Sequence, residues 1–106
     1  GLPWDIAKGF NGSAPISNKF IPVGEFKDLK NINFSLKVDG VVRQEGNTSL
    51  LLFSFSYIIA YLSRFFTLRT GDLIFTGTPK GVGPVKVGNV LSAYVENEKL
   101  LEFEVK

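Results

Sequence analysis

Asp39-Gly40 lies between two short β-prone runs, Phe34-Ser35-Leu36-Lys37-Val38 and Val41-Val42-Arg43-Gln44. Both residues of a two-residue loop that follows the strand twist must take positive φ, which Asp and Gly tolerate, so the pair predicts a tight hairpin. Phe34, Leu36 and Val38 alternate with Asn33, Ser35 and Lys37, the period of a strand with one covered face. A second hairpin is expected over residues 90–95 and 100–105, where Leu101, Phe103 and Val105 alternate with Glu102, Glu104 and Lys106. Between the hairpins, Ile58, Ile59, Leu62, Phe65 and Phe66 recur at helical spacing, predicting a helix over 55–66 capped by Ser54 or Ser56. Asn47, Thr48 and Ser49 are placed to cap a shorter turn before it. Leu73-Ile74-Phe75 predicts a strand over 72–77, buried on both faces and ended by Thr76-Gly77-Thr78-Pro79. Residues 1–24 are rich in Gly, Pro, Ser and Asn yet keep Trp4, Ile6, Phe10 and Phe20, which predicts a long loop packed onto something. Loop, hairpin, helix, strand and hairpin make a β-rich α+β unit.

The 106 residues suit one domain, and 44% hydrophobic with 21% charged residues is a globular composition. Ten Phe, one Trp and three Tyr supply large core side chains, but so short a chain buries only a modest fraction of its surface. Net charge is +2 with no basic run, which gives no support for nucleic-acid binding. The absence of Cys excludes disulfides and thiol catalysis; the absence of His excludes a Ser-His-Asp triad or a His-ligated metal within this chain. Apolar stretches are interrupted well short of the roughly 18 residues that a membrane-spanning helix needs. No basic segment followed by an apolar one opens the chain, so neither a signal peptide nor a membrane partner is expected, and a cytoplasmic location is the default. The chain has no Met and opens on the apolar Gly1-Leu2-Pro3-Trp4, which predicts a segment of a longer polypeptide.

Four places could carry chemistry. Lys8, between Ala7 and Gly9-Phe10, could present a fixed positive charge to an anion, although from its residue setting alone a solvated surface lysine is much the better explanation. In Thr76-Gly77-Thr78-Pro79, Gly lets a ligand approach the backbone while the Thr hydroxyl and amide can donate to a carboxylate; a turn closed by Gly and Pro accounts for the same residues. The following Lys80-Gly81-Val82-Gly83-Pro84 lacks the spacing and the Lys-Ser/Thr ending of a phosphate-binding loop. Glu96/Glu98 and Glu102/Glu104 each place two carboxylates on one face of a strand and could chelate a hard cation, but a solvated acidic edge explains them better. Arg43 and Gln44 could bind a carboxylate and a carbonyl, yet a hairpin leg running into a capped turn explains most of Arg43-Gln44-Glu45-Gly46-Asn47-Thr48-Ser49.

Together these segments resemble a known family. Lys8-Gly9-Phe10-Asn11-Gly12-Ser13-Ala14-Pro15-Ile16-Ser17 is similar to the lysine-bearing loop of the fumarylacetoacetate hydrolase family, with Gly1-Leu2-Pro3-Trp4 as its lead-in. Val41 to Ser49 resembles the family's segment after its hairpin, and Gly71 to Val85 resembles its glycine-rich signature. Order and spacing agree over essentially the whole chain, with the acylpyruvate hydrolase and oxaloacetate decarboxylase branch the nearest. The resemblance implies a mixed β-sheet roll or sandwich with one main helix, and a homodimer of the complete protein. It also implies a divalent cation, Mg²⁺ or Mn²⁺, that binds a small keto acid and stabilises the enolate formed when a C–C bond breaks. By resemblance, Lys8 is the active-site lysine, Thr78 binds the substrate carboxylate with Gly77 allowing close approach, and Gly12 faces the same site through its backbone. The family's metal ligands and its water-activating His lie upstream of the lysine loop. This chain is therefore expected to be the C-terminal part of the catalytic domain over residues 1–106, to hold no metal and to be inactive alone. A keto–enol tautomerase of the same family, and a non-catalytic β-rich binding or assembly module, are the alternative readings.

Overall fold

The computed structural model describes residues 15–106. Four strands, β1 (Asn33–Val38), β2 (Val41–Asn47), β3 (Val90–Val95) and β4 (Glu98–Glu104), form one sheet in the order β2-β1-β3-β4, and every pairing among the described residues is antiparallel. The helix α1 (Phe55–Leu62) and two short 3₁₀ turns, Val23–Glu25 and Thr48–Leu50, complete the regular elements among the described residues. This is the expected β-rich α+β class with one main helix.

The first hairpin forms as local chemistry requires: Asp39 and Gly40 take φ of 51° and 81°. Asp39 also joins this hairpin to the next strand. Its amide donates to the Val90 carbonyl at 2.8 Å, and its carboxylate accepts from the Val90 amide at 2.8 Å and from Asn89 Nδ2 at 2.6 Å. Because β1 and β3 are distant in sequence, this clamp helps set their register (Val38 opposite Leu91). Asp39→Ala removes the two side-chain bonds, and a loss of about 1–2 kcal/mol, read as a lowered Tm, is the expected result.

A second polar clamp fixes the lead-in to β1. Thr48 Oγ1 accepts from the Ile32 amide at 2.9 Å and donates to the Leu29 carbonyl at 2.8 Å. The Asn47 side chain caps the following turn, accepting from the Ser49 amide at 2.8 Å, while its Nδ2 donates to Asn31 and Asn33. The asparagine and threonine of the Gly46-Asn47-Thr48-Ser49 segment are thus occupied in building the end of β2. At the same end of the sheet, Glu96 takes φ 54° in the β3–β4 turn and is held there by Asn33, which bonds both its carboxylate and its backbone amide.

Ser54 caps α1, its hydroxyl accepting from the Tyr57 amide at 3.1 Å. The helix ends at Leu62 rather than at Phe66. Beyond it, Arg64 and Phe65 donate three residues back, to Tyr61 and Leu62, so the last turn tightens and the regular helix stops. Phe53, Tyr57, Tyr61 and Phe65 form an aromatic column along the helix, with successive centroids 4.9, 6.4 and 5.4 Å apart, each ring about half-exposed or more.

The strand expected over 72–77 does not form. Leu73 and Phe75 are 52% and 73% exposed, and the segment has no ladder partner among the described residues; an extended run becomes a strand only when another strand satisfies its backbone groups. Phe20, expected to pack, is 68% exposed. Among the described residues the buried hydrophobic side chains are Ile32, Val38 and Leu91. The radius of gyration, 15.2 Å, exceeds the roughly 13 Å typical of a compact chain of about 100 residues. The described chain therefore carries far more apolar surface than it covers. Among the described residues no helix is long and apolar enough to cross a membrane.

Candidate active-site wall

A β-bulge decides what faces the glycine-rich loop. Leu36 pairs with Gln44 and Lys37 with Val42, which leaves Arg43 as the extra residue of β2. In a regular strand, consecutive side chains point to opposite faces; a bulge re-aims them. Here both side chains reach the same loop. Arg43 Nη1 donates to the Pro84 carbonyl at 3.1 Å, while Gln44 Nε2 donates to Thr78 Oγ1 at 3.0 Å and to the Pro79 carbonyl at 2.8 Å. The loop lies so close that a Cβ on Gly81 would sit 2.7 Å from the Arg43 carbonyl oxygen, and Gly81 has φ +104°. Glycine is required there on both counts.

Gly77 differs. It also has positive φ, +100°, but nothing in the described chain lies within 4 Å of the Cβ it would carry. The backbone beside Thr78 is therefore open to approach from outside. A cleft of about 990 Å³ adjoins it, lined by Thr76, Gly77, Thr78 and Pro79 and by apolar side chains including Phe34, Ile58 and Ile74. Sheet and helix residues both line this cleft. The loop offers hydroxyl and amide donors against an apolar wall, an arrangement suited to the polar end of a small ligand.

Of the residues singled out in the sequence, Gly77 and Thr78 are brought together at this cleft. Lys8 and Gly12 lie outside the described residues. Gln44, which the sequence left without a role, is the side chain that holds Thr78; the only sequence signal for it was its place in the Arg43 to Ser49 segment. The acidic pairs are engaged elsewhere. Glu96 accepts from Asn33, Glu98 pairs with Lys19, and Glu102 pairs with Lys99. The Glu102 carboxylate, by its hydrogen bond above all, holds the exposed Lys99 ammonium above the usual lysine range. Among the described residues no group of three or more His, Cys, Asp or Glu side chains could hold a metal ion. At the Thr78 loop the polar groups are neutral hydroxyl, amide and carbonyl, whereas Mg²⁺ is bound through carboxylates. The described residues thus do not fit the cation implied by the resemblance.

An antiparallel α+β scaffold that presents a clamped glycine-rich loop to an open cleft describes a class of small-ligand wall. The chain belongs to the fumarylacetoacetate hydrolase family: the family model described as "Fumarylacetoacetate (FAA) hydrolase C-terminal" matches residues 1–106. It is 47% identical over 106 residues to the mitochondrial oxaloacetate tautomerase FAHD1 of Bos taurus, covering 100% of this chain and 48% of that protein. It is 49% identical over 90 residues to the mitochondrial oxaloacetate decarboxylase of Dictyostelium discoideum, covering 85% of this chain and 41% of the relative. Among solved structures, a fumarylacetoacetate hydrolase family protein of Yersinia pestis superposes with a TM-score of 0.88 at 44% identity, covering 98% of this chain and 48% of that one. Fumarylpyruvate hydrolase of Pseudomonas aeruginosa, solved with Mn²⁺ and pyruvate, superposes with a TM-score of 0.71 at 39% identity, covering 79% and 36%. The chain spans about half the length of the curated relatives it matches.

Proposed function

We propose that this chain is the C-terminal part of a divalent-metal-dependent enzyme that acts on small keto acids, and that its Thr76–Pro79 loop binds the substrate carboxylate. The observation that carries the reading is the loop itself: Gly77 open to approach, Thr78 anchored from β2, both at an apolar cleft. Lys8 supplies positive charge to the same site, and Gly12 a backbone contact. Oxaloacetate is the first substrate to test, because both curated relatives named above take it. The Pseudomonas hydrolase, solved in complex with Mn²⁺ and pyruvate, supports a keto-acid carboxylate as the group recognised. The reading assigns the cation's ligands to sequence upstream of Lys8, which makes the isolated chain inactive. It assigns the uncovered apolar surface to contact with that upstream part and with a second copy in a homodimer. A mitochondrial location, as in the bovine relative, fits this chemistry as well as the cytoplasm does.

Two reactions share such a site. C–C cleavage, hydrolytic or decarboxylative, is one; enol–keto tautomerisation of oxaloacetate is the other, favoured by the bovine relative. The complete polypeptide with Mg²⁺ or Mn²⁺ should act on oxaloacetate, and the 106-residue chain should not. Pyruvate formation identifies the decarboxylase, and accelerated loss of enol absorbance without pyruvate identifies the tautomerase. A chelator should abolish either activity. Chelator-resistant turnover, or turnover by the short chain, would count against the reading.

A further inference from the structure

Gln44 does more than tether a loop, because its amide has only one orientation compatible with its partners. The Pro79 carbonyl can only accept, so the group facing it at 2.8 Å must be the NH₂ end of the amide. The same nitrogen lies 3.0 Å from Thr78 Oγ1. Its two protons are then shared out, one to each oxygen, and Thr78 Oγ1 acts as an acceptor toward Gln44. A hydroxyl has one proton to give. With one lone pair engaged by Gln44, the hydroxyl turns its proton away from Nε2, and among the described residues no side-chain hydrogen bond takes it up, so it is left for a group beyond them.

We infer that Gln44 is a positioning residue that makes the Thr78 hydroxyl an outward-pointing hydrogen-bond donor, and so favours carboxylates, which accept on both oxygens, over carboxamides, which accept at one end only. The bulge at Arg43 is what turns Gln44 onto the loop, so the selectivity originates in the register of β1 and β2. The inference rests on the proposed carboxylate-binding role of Thr78 and adds the residue that gives that hydroxyl its polarity.

The test uses the complete polypeptide with Mg²⁺, steady-state kinetics on oxaloacetate, and inhibition by pyruvate and by pyruvamide. Gln44→Leu removes both amide protons. Gln44→Glu is isosteric but can only accept when ionised, so it takes the Thr78 proton for itself. Either substitution should raise KM about tenfold with a smaller change in kcat, and should weaken pyruvate more than pyruvamide. In a Thr78→Val background, Gln44→Leu should add almost nothing to KM, since the hydroxyl it orients is gone. An equal rise in both backgrounds would reduce Gln44 to a loop tether and overturn the inference, as would an unchanged pyruvate-to-pyruvamide ratio in both Gln44 variants. If Thr78→Val itself leaves KM unchanged, the carboxylate-binding reading fails and takes this inference with it. That result is distinct from failure at Gln44 alone. Thermal melting of each variant identifies any that misfold, and the isosteric Gln44→Glu keeps the comparison available if Gln44→Leu does not fold.

Discussion

Lys8→Ala in the complete, metal-loaded polypeptide should lower kcat/KM by about two to three orders of magnitude, the usual effect of deleting one fixed group that stabilises developing negative charge. The charge of Lys8 is proposed to face the oxygens of a keto acid as it becomes an enolate. Tautomerisation and C–C cleavage both pass through such a species, so the loss should appear whichever reaction the enzyme runs. Lys8→Arg should recover only part of it, since the guanidinium is broader and its charge is spread over three nitrogens. The measurement is a pair of steady-state curves on oxaloacetate. The fall should lie mainly in kcat, because the interaction strengthens as charge develops. An unchanged kcat/KM would remove Lys8 from the site.

Gly81→Ala should be the most damaging single-methyl change in the glycine-rich loop. Two costs coincide: φ of +104°, and a Cβ placed 2.7 Å from the Arg43 carbonyl oxygen. The obstructing atom is backbone within β2, so it cannot swing aside as a side-chain end would. Gly88 supplies the control, with φ of +94° but nothing within 4 Å of its Cβ. Gly88→Ala should cost the conformational strain alone, about 1–3 kcal/mol, and leave kinetics unchanged. Gly81→Ala should cost at least about 1 kcal/mol more. It should also raise KM, because lifting the loop from β2 breaks the bonds from Gln44 to Thr78 and Pro79 and from Arg43 to Pro84. Denaturant unfolding and KM measured on both variants decide it. Equal destabilisation would mean that the loop does not pack on β2 in solution.

Lys8 was assigned through the motif around it, and its placement lies outside the described residues. The role of Gly81 emerged only once the loop was seen lying against Arg43. Thr78 falls between them. The sequence marked Thr76-Gly77-Thr78-Pro79 as a place where a hydroxyl and an exposed backbone meet, and the structure shows the open face at Gly77 and the anchor at Gln44.

What the sequence settled by itself was local. Positive φ at Asp39-Gly40 and the Ser54 cap each depend on residues a few positions apart, so the chemistry of the stretch decides its shape. The alternation in β1 and β4 worked for the same reason. The tertiary structure decided everything that needs a partner far along the chain. Leu73-Ile74-Phe75 has the composition of a buried strand but, among the described residues, no strand beside it to satisfy its backbone. Gln44 has an ordinary sequence setting and acquires its role from Thr78, 34 residues away, through a bulge that exists only in the pairing of β1 with β2. Backbone propensity acts over a few residues, whereas register and burial depend on which distant segments meet, and that is why the hairpins were legible and the clamp on Thr78 was not.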